Sequence, residues 1–447
     1  MNLLGTYFSR LQQRSSIRWR GRVVEAAGQT VESEGPPCSV GECCEIRDSD
    51  AKFHAAEVIG FRGNRVLSMT LSAADGIRYG DPVMALRLRP QIEVGSSLMG
   101  RVLNATGLPL DGGRRPILHS AVPLERPAPG PLEREPIREP LGTGIRAIDG
   151  LLSVGRGQRI GIFGGSGVGK STLIGMMTRN SDADMIVVGL VGERGREVGE
   201  FLEESLGTEG RKRSVVLVST SDQSPLLRMR AALGATSVAE YFAGTGAHVL
   251  LVLDSLTRFA MAAREVGLAA GEPPTTRGYT PSVFNRLARL VERAGRFRTG
   301  SVTAFYTVLM EGDDLQDPLV DAVRSFLDGH VVLARSLAAD GCYPPIDVLE
   351  SISRLMPAIV SEDHRMAATE VRRLLATWAR SEDLVRIGAY KPGTDADLDR
   401  AIRFRPAIRE YLMQGAKERG NFADARRELL RLVSSMEGPK PAAERKR

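Results

Sequence analysis

Residues 159–172 read RIGIFGGSGVGKST: an apolar run, then Gly164-x-x-x-x-Gly169-Lys170-Ser171. Closely spaced glycines let successive backbone N–H groups curl around a phosphate without Cβ clashes. A helix that starts at the lysine adds the positive end of its dipole. In this pattern Lys170 is expected to reach the outer phosphates of a nucleoside triphosphate, and the Ser171 hydroxyl to ligate Mg²⁺. The expected cradle runs through Gly164, Gly165, Ser166, Gly167, Val168 and Gly169 into Lys170, Ser171 and Thr172. Composition does not explain the lysine. The chain has seven, and Lys170 is the only one between Lys52 and Lys212.

Two further segments hold carboxylates where such a site needs them. HVLLVLDSLTRF (248–259) is an apolar run that ends in Asp254, placed to hold Mg²⁺ through water. As a structural residue, Asp254 would simply cap the helix that follows. VGLVGERGREVGEF (188–201) also starts as a buried strand, then brings Glu193, Arg194, Arg196, Glu197 and Glu200 within eight residues. If a helix starts there, Glu193 and Glu197 lie four apart on one face, at a cost of a few tenths of a kcal/mol. A carboxylate at the end of this strand opens on the same crevice as the glycine-rich loop and can orient a water for attack on a γ-phosphate. Glu193 is the expected water-orienting residue, Glu197 a member of the Mg²⁺ water shell, and Arg194 a contact to phosphate oxygens. A surface salt-bridge cluster is the alternative.

These residues need a sheet to hold them. RIGIF, MIVVGLV, SVVLVS, HVLLVLD and VTAFYTVL alternate with helical segments over 145–360, the pattern of an α/β domain with a mostly parallel sheet. Residues 18–88 read as short strands broken by Gly, Asp-Gly and Asp-Pro, which suggests a small β-barrel. Residues 89–144 hold seven prolines between Pro116 and Pro140 and read as an extended connector. Residues 361–436 read as helical. At 447 residues the chain exceeds one ordinary core. Its fold class is therefore multi-domain: N-terminal β-barrel, central α/β P-loop domain, C-terminal helical domain.

The ends are basic. The first 22 residues carry five arginines and no acid, and residues 437–447 form a basic tail; the net charge is +6. Such ends suit anionic surfaces or acidic partners, or are solvated tails. In segment 1–17, Leu3, Leu4, Tyr7, Phe8 and Leu11 share one helical stripe. It could meet a partner or a membrane, or pack on its own domain. No apolar run reaches the ~18–20 residues of a membrane span, and no apolar signal region opens the chain. Cys38, Cys43, Cys44 and Cys342 have neither metal-site nor Cys-x-x-Cys spacing, so free thiols are expected.

Taken together, GGSGVGKST, VGLVGERGREVGEF, LLVLDSLTRFAMAAREVGLAAGEPPTTRGYTPSVF, EGDDLQDPLVDAVRSFLDGHVVLAR and GCYPPIDVLESISRLMP resemble the type III protein export ATPase family. The likeness is strongest to its flagellum-specific branch, with the injectisome ATPases as siblings and the catalytic subunits of rotary ATP synthases as wider relatives. It spans about residues 18–435. The resemblance implies a six-stranded barrel, a RecA-like core and Mg²⁺-dependent ATP hydrolysis in a ring of six identical subunits. Glu193 matches the family's catalytic glutamate, and Arg194 and Glu197 its phosphate and Mg²⁺-shell positions. Arg354 matches an arginine finger given to the neighbouring subunit's ATP, and Tyr343 a residue that stacks on adenine. Residues 311–318 match a pore loop that meets a central stalk-like protein, and the N-terminal segment a docking site for a regulatory stator protein. Further implied partners are the export gate and substrate–chaperone complexes. The implied location is cytoplasmic, peripheral to the inner membrane.

Two other readings carry different expectations. An RNA-translocating RecA-like hexamer would need a nucleic-acid-reading barrel and basic pore loops. The barrel segment lacks basic, aromatic-interleaved strands and the 311–318 loop is acidic, so no nucleic acid is expected. A non-enzymatic scaffold would have no use for the set Lys170, Glu193, Asp254 and Arg354.

Overall fold

The computed structural model of the protein describes residues 19–310, 312, 314 and 317–436. The N-terminal stripe Leu3–Leu11 and the basic tail lie outside the described residues, so the docking expectation for segment 1–17 is not addressed by the fold.

Six strands close the N-terminal barrel: β1 (Arg20–Ala27), β2 (Thr30–Glu34), β3 (Cys43–Arg47), β4 (Phe53–Arg62), β5 (Arg65–Thr70) and β6 (Pro82–Ala85), in the order β1-β2-β5-β4-β3-β6. Alternation sets which side chains point in. His54, Ala56 and Val58 of β4 are buried, whereas Phe53 and Ala55 between and beside them are exposed. Val23, Val31, Cys44, Ile46, Val58, Val66 and Val83 form a small core of their own. Closure leaves no free strand edge.

The central sheet is built from β7 (Val102–Asn104), β8 (Arg159–Gly164), β9 (Met185–Glu193), β10 (Ser214–Thr220), β11 (His248–Asp254), β12 (Ser301–Leu309), β13 (Gly329–Leu333) and β14 (Ile346–Ser353). Their order is β14-β13-β8-β12-β11-β9-β10-β7, with the short strand Gly295–Arg296 paired onto β12. All pairings along this path are parallel except β13–β14. The near-continuous apolar strands follow from burial on both faces. Val187, Leu217 and Leu251 face one core with helices α3 (Pro225–Gly244), α4 (Leu256–Ala269) and α5 (Pro281–Val291). Ile186, Val216 and Leu250 face the other, with α1 (Arg146–Leu151) and α2 (Lys170–Asn180).

The C-terminal helices α6 (Glu362–Arg386), α7 (Ala396–Leu412) and α8 (Phe422–Met436) join that second core through Val371, Leu374, Ile408 and Leu429. Among the described residues no helix is long and apolar enough to cross a membrane. The four cysteines are free thiols.

One expectation is corrected. The proline-rich stretch 89–144 is not merely connector. Strands Gln91–Val94 and Ser120–Pro123 pair with each other, and β7 adds an edge to the central sheet through Val102↔Val216. A three-residue strand is too short to show a period. Its membership rests on burial of Leu103 in the core on one face of the central sheet, a tertiary fact.

Candidate active site

β8 ends at Gly164, and the loop that follows turns into α2 with Lys170 as its first residue. Gly167 (φ +77°) and Gly169 (φ +107°) lie in the left-handed region that only glycine enters freely. Ser166, Gly167, Ser171 and Thr172 are exposed, whereas Val168 is buried and anchors the loop. Lys170 Nζ donates to the carbonyls of Gly164 (2.9 Å) and Gly165 (2.5 Å). The lysine therefore ties the loop to the strand it leaves.

Because β8, β12, β11 and β9 run parallel, their C-terminal ends share one edge of the sheet. This puts Asp254 (end of β11) and Glu193 (end of β9) in the crevice that holds the loop. Asp254 is buried, and its Oδ1 accepts a hydrogen bond from Thr307 Oγ1 at 2.5 Å. Burial raises its pKa, while the Thr307 hydrogen bond, the Lys170 ammonium and the Arg258 guanidinium oppose the rise. The Asp254–Ser255 peptide is cis.

Glu193 follows a register shift between Val191 and Glu193, with Gly192 at φ +71°. The bulge re-aims the last side chain of the strand. Burial pushes the Glu193 carboxyl up to about 8, helped by the Asp254 charge and a hydrogen bond with Glu197, and opposed by Arg258. The helix that follows starts at Gly195, with Arg194 as its N-cap. Glu193 is thus a strand residue, and its meeting with Glu197 is a contact across the strand–helix turn. Glu197 also lies 3.8 Å from Arg194 and 4.0 Å from Arg196. Arg194 is largely exposed at the mouth of the crevice.

Three residues here were not singled out from the sequence: Thr307, Gly192 and Arg258. Arg258 sits one turn into α4, its Cβ 3.0 Å from where a Cβ on Gly192 would be. Its charge acts on both Glu193 and Asp254, and its buried Nε has no protein partner. The nearness of Arg258 to Asp254 in DSLTR, one at the end of a strand and the other in the first turn of the helix that follows, was the available signal.

The donor set fits Mg²⁺. It offers one hydroxyl (Ser171) and buried or half-buried carboxylates (Asp254, Glu197), with room for phosphate oxygens and water, and Mg²⁺ keeps several waters and needs few protein ligands. No group of three or more His, Cys, Asp or Glu among the described residues could cage a metal unaided.

The loop between β13 and β14 closes the other side. Leu333 packs beside Gly164, and Pro345 lies next to Gly169. Tyr343 in this loop is 51 % exposed, so its ring is free to take a partner beside the glycine-rich loop. Arg354 is elsewhere. Gly329 of β13 pairs with Ser353 on one side and Ile160 on the other. Arg354 therefore leaves the sheet at the level where β8 begins, while Gly164 is where it ends. Roughly 15 Å of strand separate them, more than an arginine side chain spans. Arg354 is exposed and does not belong to its own chain's phosphate site.

The acidic segment 311–318 is described in part, with 311, 313, 315 and 316 outside the described residues. Asp314 and Asp317 both pair with Arg277.

Residues 144–353 match the ATP synthase alpha/beta family, nucleotide-binding domain, and residues 360–431 the T3SS EscN ATPase C-terminal domain. The flagellum-specific ATP synthase of Bacillus subtilis is 50 % identical over 410 residues, 91 % of this chain and 94 % of that one. The type 3 secretion system ATPase of Xanthomonas euvesicatoria is 49 % identical over 395 residues, 88 % and 89 % of the two chains. The assembled ATPase EscN from the enteropathogenic E. coli type III secretion system superposes with a TM-score of 0.88 at 42 % identity, covering 92 % of this chain and all of that one. A second structure, of EscN in complex with its central stalk EscO, gives 0.85 at 41 % identity, with 92 % and 100 % covered. With a closed six-stranded barrel, a parallel sheet that gathers Lys170, Asp254 and Glu193 on one edge, and these likenesses along nearly its whole length, the chain is an ATP-hydrolysing member of the type III export ATPases, in the branch of the flagellum-specific ATP synthases.

Proposed function

We propose that the chain is the motor of flagellar type III protein export, coupling ATP turnover to the release, unfolding and delivery of export substrates. The observation that carries the mechanism is the common edge of β8, β11 and β9, which brings the loop lysine, a buried aspartate and a high-pKa glutamate together.

In this reading the N–H groups of 164–172 cradle the phosphates and Lys170 leaves its loop carbonyls for the β- and γ-phosphates. Mg²⁺, when bound with the nucleotide, neutralises charge across those phosphates. Ser171 would hold it, with Asp254 and Glu197 reaching it through water. Glu193 orients the attacking water and takes its proton. Arg194 and Arg258 offset the carboxylates and meet phosphate oxygens. Tyr343 stacks on the base.

Arg354 acts on the neighbouring subunit's γ-phosphate. The strand register supports this, since it keeps Arg354 from its own site. We further propose a homohexameric ring around a stalk-like protein near 311–318, in line with the assembled and stalk-bound EscN structures. A regulatory stator protein at the N-terminal segment, contacts with the export gate and substrate–chaperone complexes, and a cytoplasmic, membrane-peripheral location complete the proposal.

The test is direct. Cells whose only copy carries Glu193→Gln should export no hook or filament protein, and the purified variant should bind Mg·ATP without releasing phosphate. Normal filament assembly by that variant would overturn the reading. ATPase activity stimulated by RNA with a steep salt dependence would replace it with a nucleic-acid translocase.

A further inference from the structure

The loop 413–421 between α7 and α8 is a strap from the helical domain that links the far end of the P-loop helix α2 to the Tyr343 loop. Arg179, in the last turn of the P-loop helix α2, donates to the Ala416 carbonyl at 2.6 Å, and Asn180 Nδ2 to the Glu418 carbonyl at 3.2 Å. The Arg146 guanidinium reaches the Met413 carbonyl (2.8 Å), Glu418 (2.9 Å) and Glu428 (2.8 Å).

At the centre of the strap is Gln414, 4 % exposed. Its Oε1 accepts from the Arg146 N–H at 2.8 Å, and its Nε2 donates to the Gly144 carbonyl at 2.9 Å. α1 has no capping side chain at its own N-cap, Ile145, so Gln414 satisfies an orphan donor at that helix start from 268 residues away. With the side chain held at two points, the backbone N–H of Gln414 donates to the Tyr343 carbonyl at 2.8 Å.

We infer that Gln414 is a positioning residue for the nucleotide base: its amide fixes the strap so that Tyr343 stands at a set distance from the P-loop. This rests on the reading that Tyr343 faces the base. The side chain itself touches no phosphate-binding residue, so base and phosphate recognition separate. Truncating Gln414 loosens the Tyr343 loop, while Lys170, Gly167 and Gly169 keep their own supports.

The experiment compares Gln414→Ala, Gln414→Glu and Tyr343→Ala in the full chain. It measures kcat and KM for ATP and GTP, and the Kd of inorganic tripolyphosphate with Mg²⁺. Gln414→Ala should raise KM for ATP about tenfold, the equivalent of one lost buried polar contact. It should hold kcat within about twofold, narrow the ATP-over-GTP preference and leave tripolyphosphate affinity unchanged. Gln414→Glu keeps the acceptor for Arg146 and loses the donor to Gly144, so it should shift KM in the same direction by less. It also serves if the alanine variant does not fold. Parallel loss of ATP and tripolyphosphate binding, or an unchanged ATP-over-GTP preference in folded Gln414 variants while Tyr343→Ala narrows it, overturns the inference. If Tyr343→Ala itself leaves the preference intact, the base-stacking reading fails first, and the inference with it.

Discussion

Replacing Glu193 by glutamine removes a carboxyl whose proton burial holds on near neutrality. Its pKa rises from 4.5 to about 8 through burial, the Asp254 charge and the Glu197 hydrogen bond. Below pH 4.5 the carboxyl is protonated in both folded and unfolded chains, and glutamate and glutamine differ little. Between 4.5 and about 8 the unfolded chain has released a proton that the folded chain keeps, so wild-type stability falls relative to the variant as pH rises. Above about 8 the gap is constant. At about 1.4 kcal/mol per pH unit the ceiling is near 5 kcal/mol. The side chain is partly open to solvent, so we expect about 2 kcal/mol to register. Urea unfolding of the nucleotide-free protein at pH 5 and pH 8.5 measures it. The gap should open with pH, and should shrink when Mg·ATP brings cations between the carboxylates. In the same preparations turnover should fall about 10²–10⁴-fold, the usual worth of a positioned general base. A stability gap that is flat or closes as pH rises would refute the electrostatic argument, and normal hydrolysis would refute the catalytic one.

Arg354→Ala should be inactive alone. In rings mixed with Glu193→Gln subunits, turnover should return wherever an Arg354→Ala pocket meets an intact Arg354. Absence of any rescue across mixing ratios would rule out action in trans. Gly192→Ala forces a side chain into φ +71° with its Cβ 3.0 Å from that of Arg258, so phosphate release should drop at least tenfold, with destabilisation of about 1–2 kcal/mol. Wild-type rates from that variant would show that the bulge does not aim Glu193. At the barrel–ATPase junction Arg230 pairs with Glu57 at 2.7 Å, both mostly buried. Arg230→Ala leaves that carboxylate unpaired and should cost about 3 kcal/mol in urea unfolding, with Glu57→Gln added to it restoring part. No recovery in the double variant would argue against a buried-charge penalty.

Local pattern was enough for much of this molecule. The glycine-rich loop, the apolar strands ending in Asp254 and Glu193, the barrel's short alternating runs and the three C-terminal helices each carry their signal within about twenty residues. There, backbone propensity and a one- or two-faced burial pattern leave few alternatives. Strand β7 was hidden by its length, and the roles of Thr307, Arg258 and Gln414 by distance along the chain. A threonine on β12 reads as one more β-branched strand residue until the sheet order sets it beside β11. The same order decided that Arg354 emerges far from its own chain's glycine-rich loop, because only pairing register says at which end of the sheet a strand's last residue emerges. The residue types that can bind and hydrolyse a nucleotide are written in the sequence. Which of them face one crevice, how far burial moves the Glu193 proton and at which end of the sheet Arg354 emerges depend on contacts between segments far apart in the chain, and those exist only once the sheet has formed.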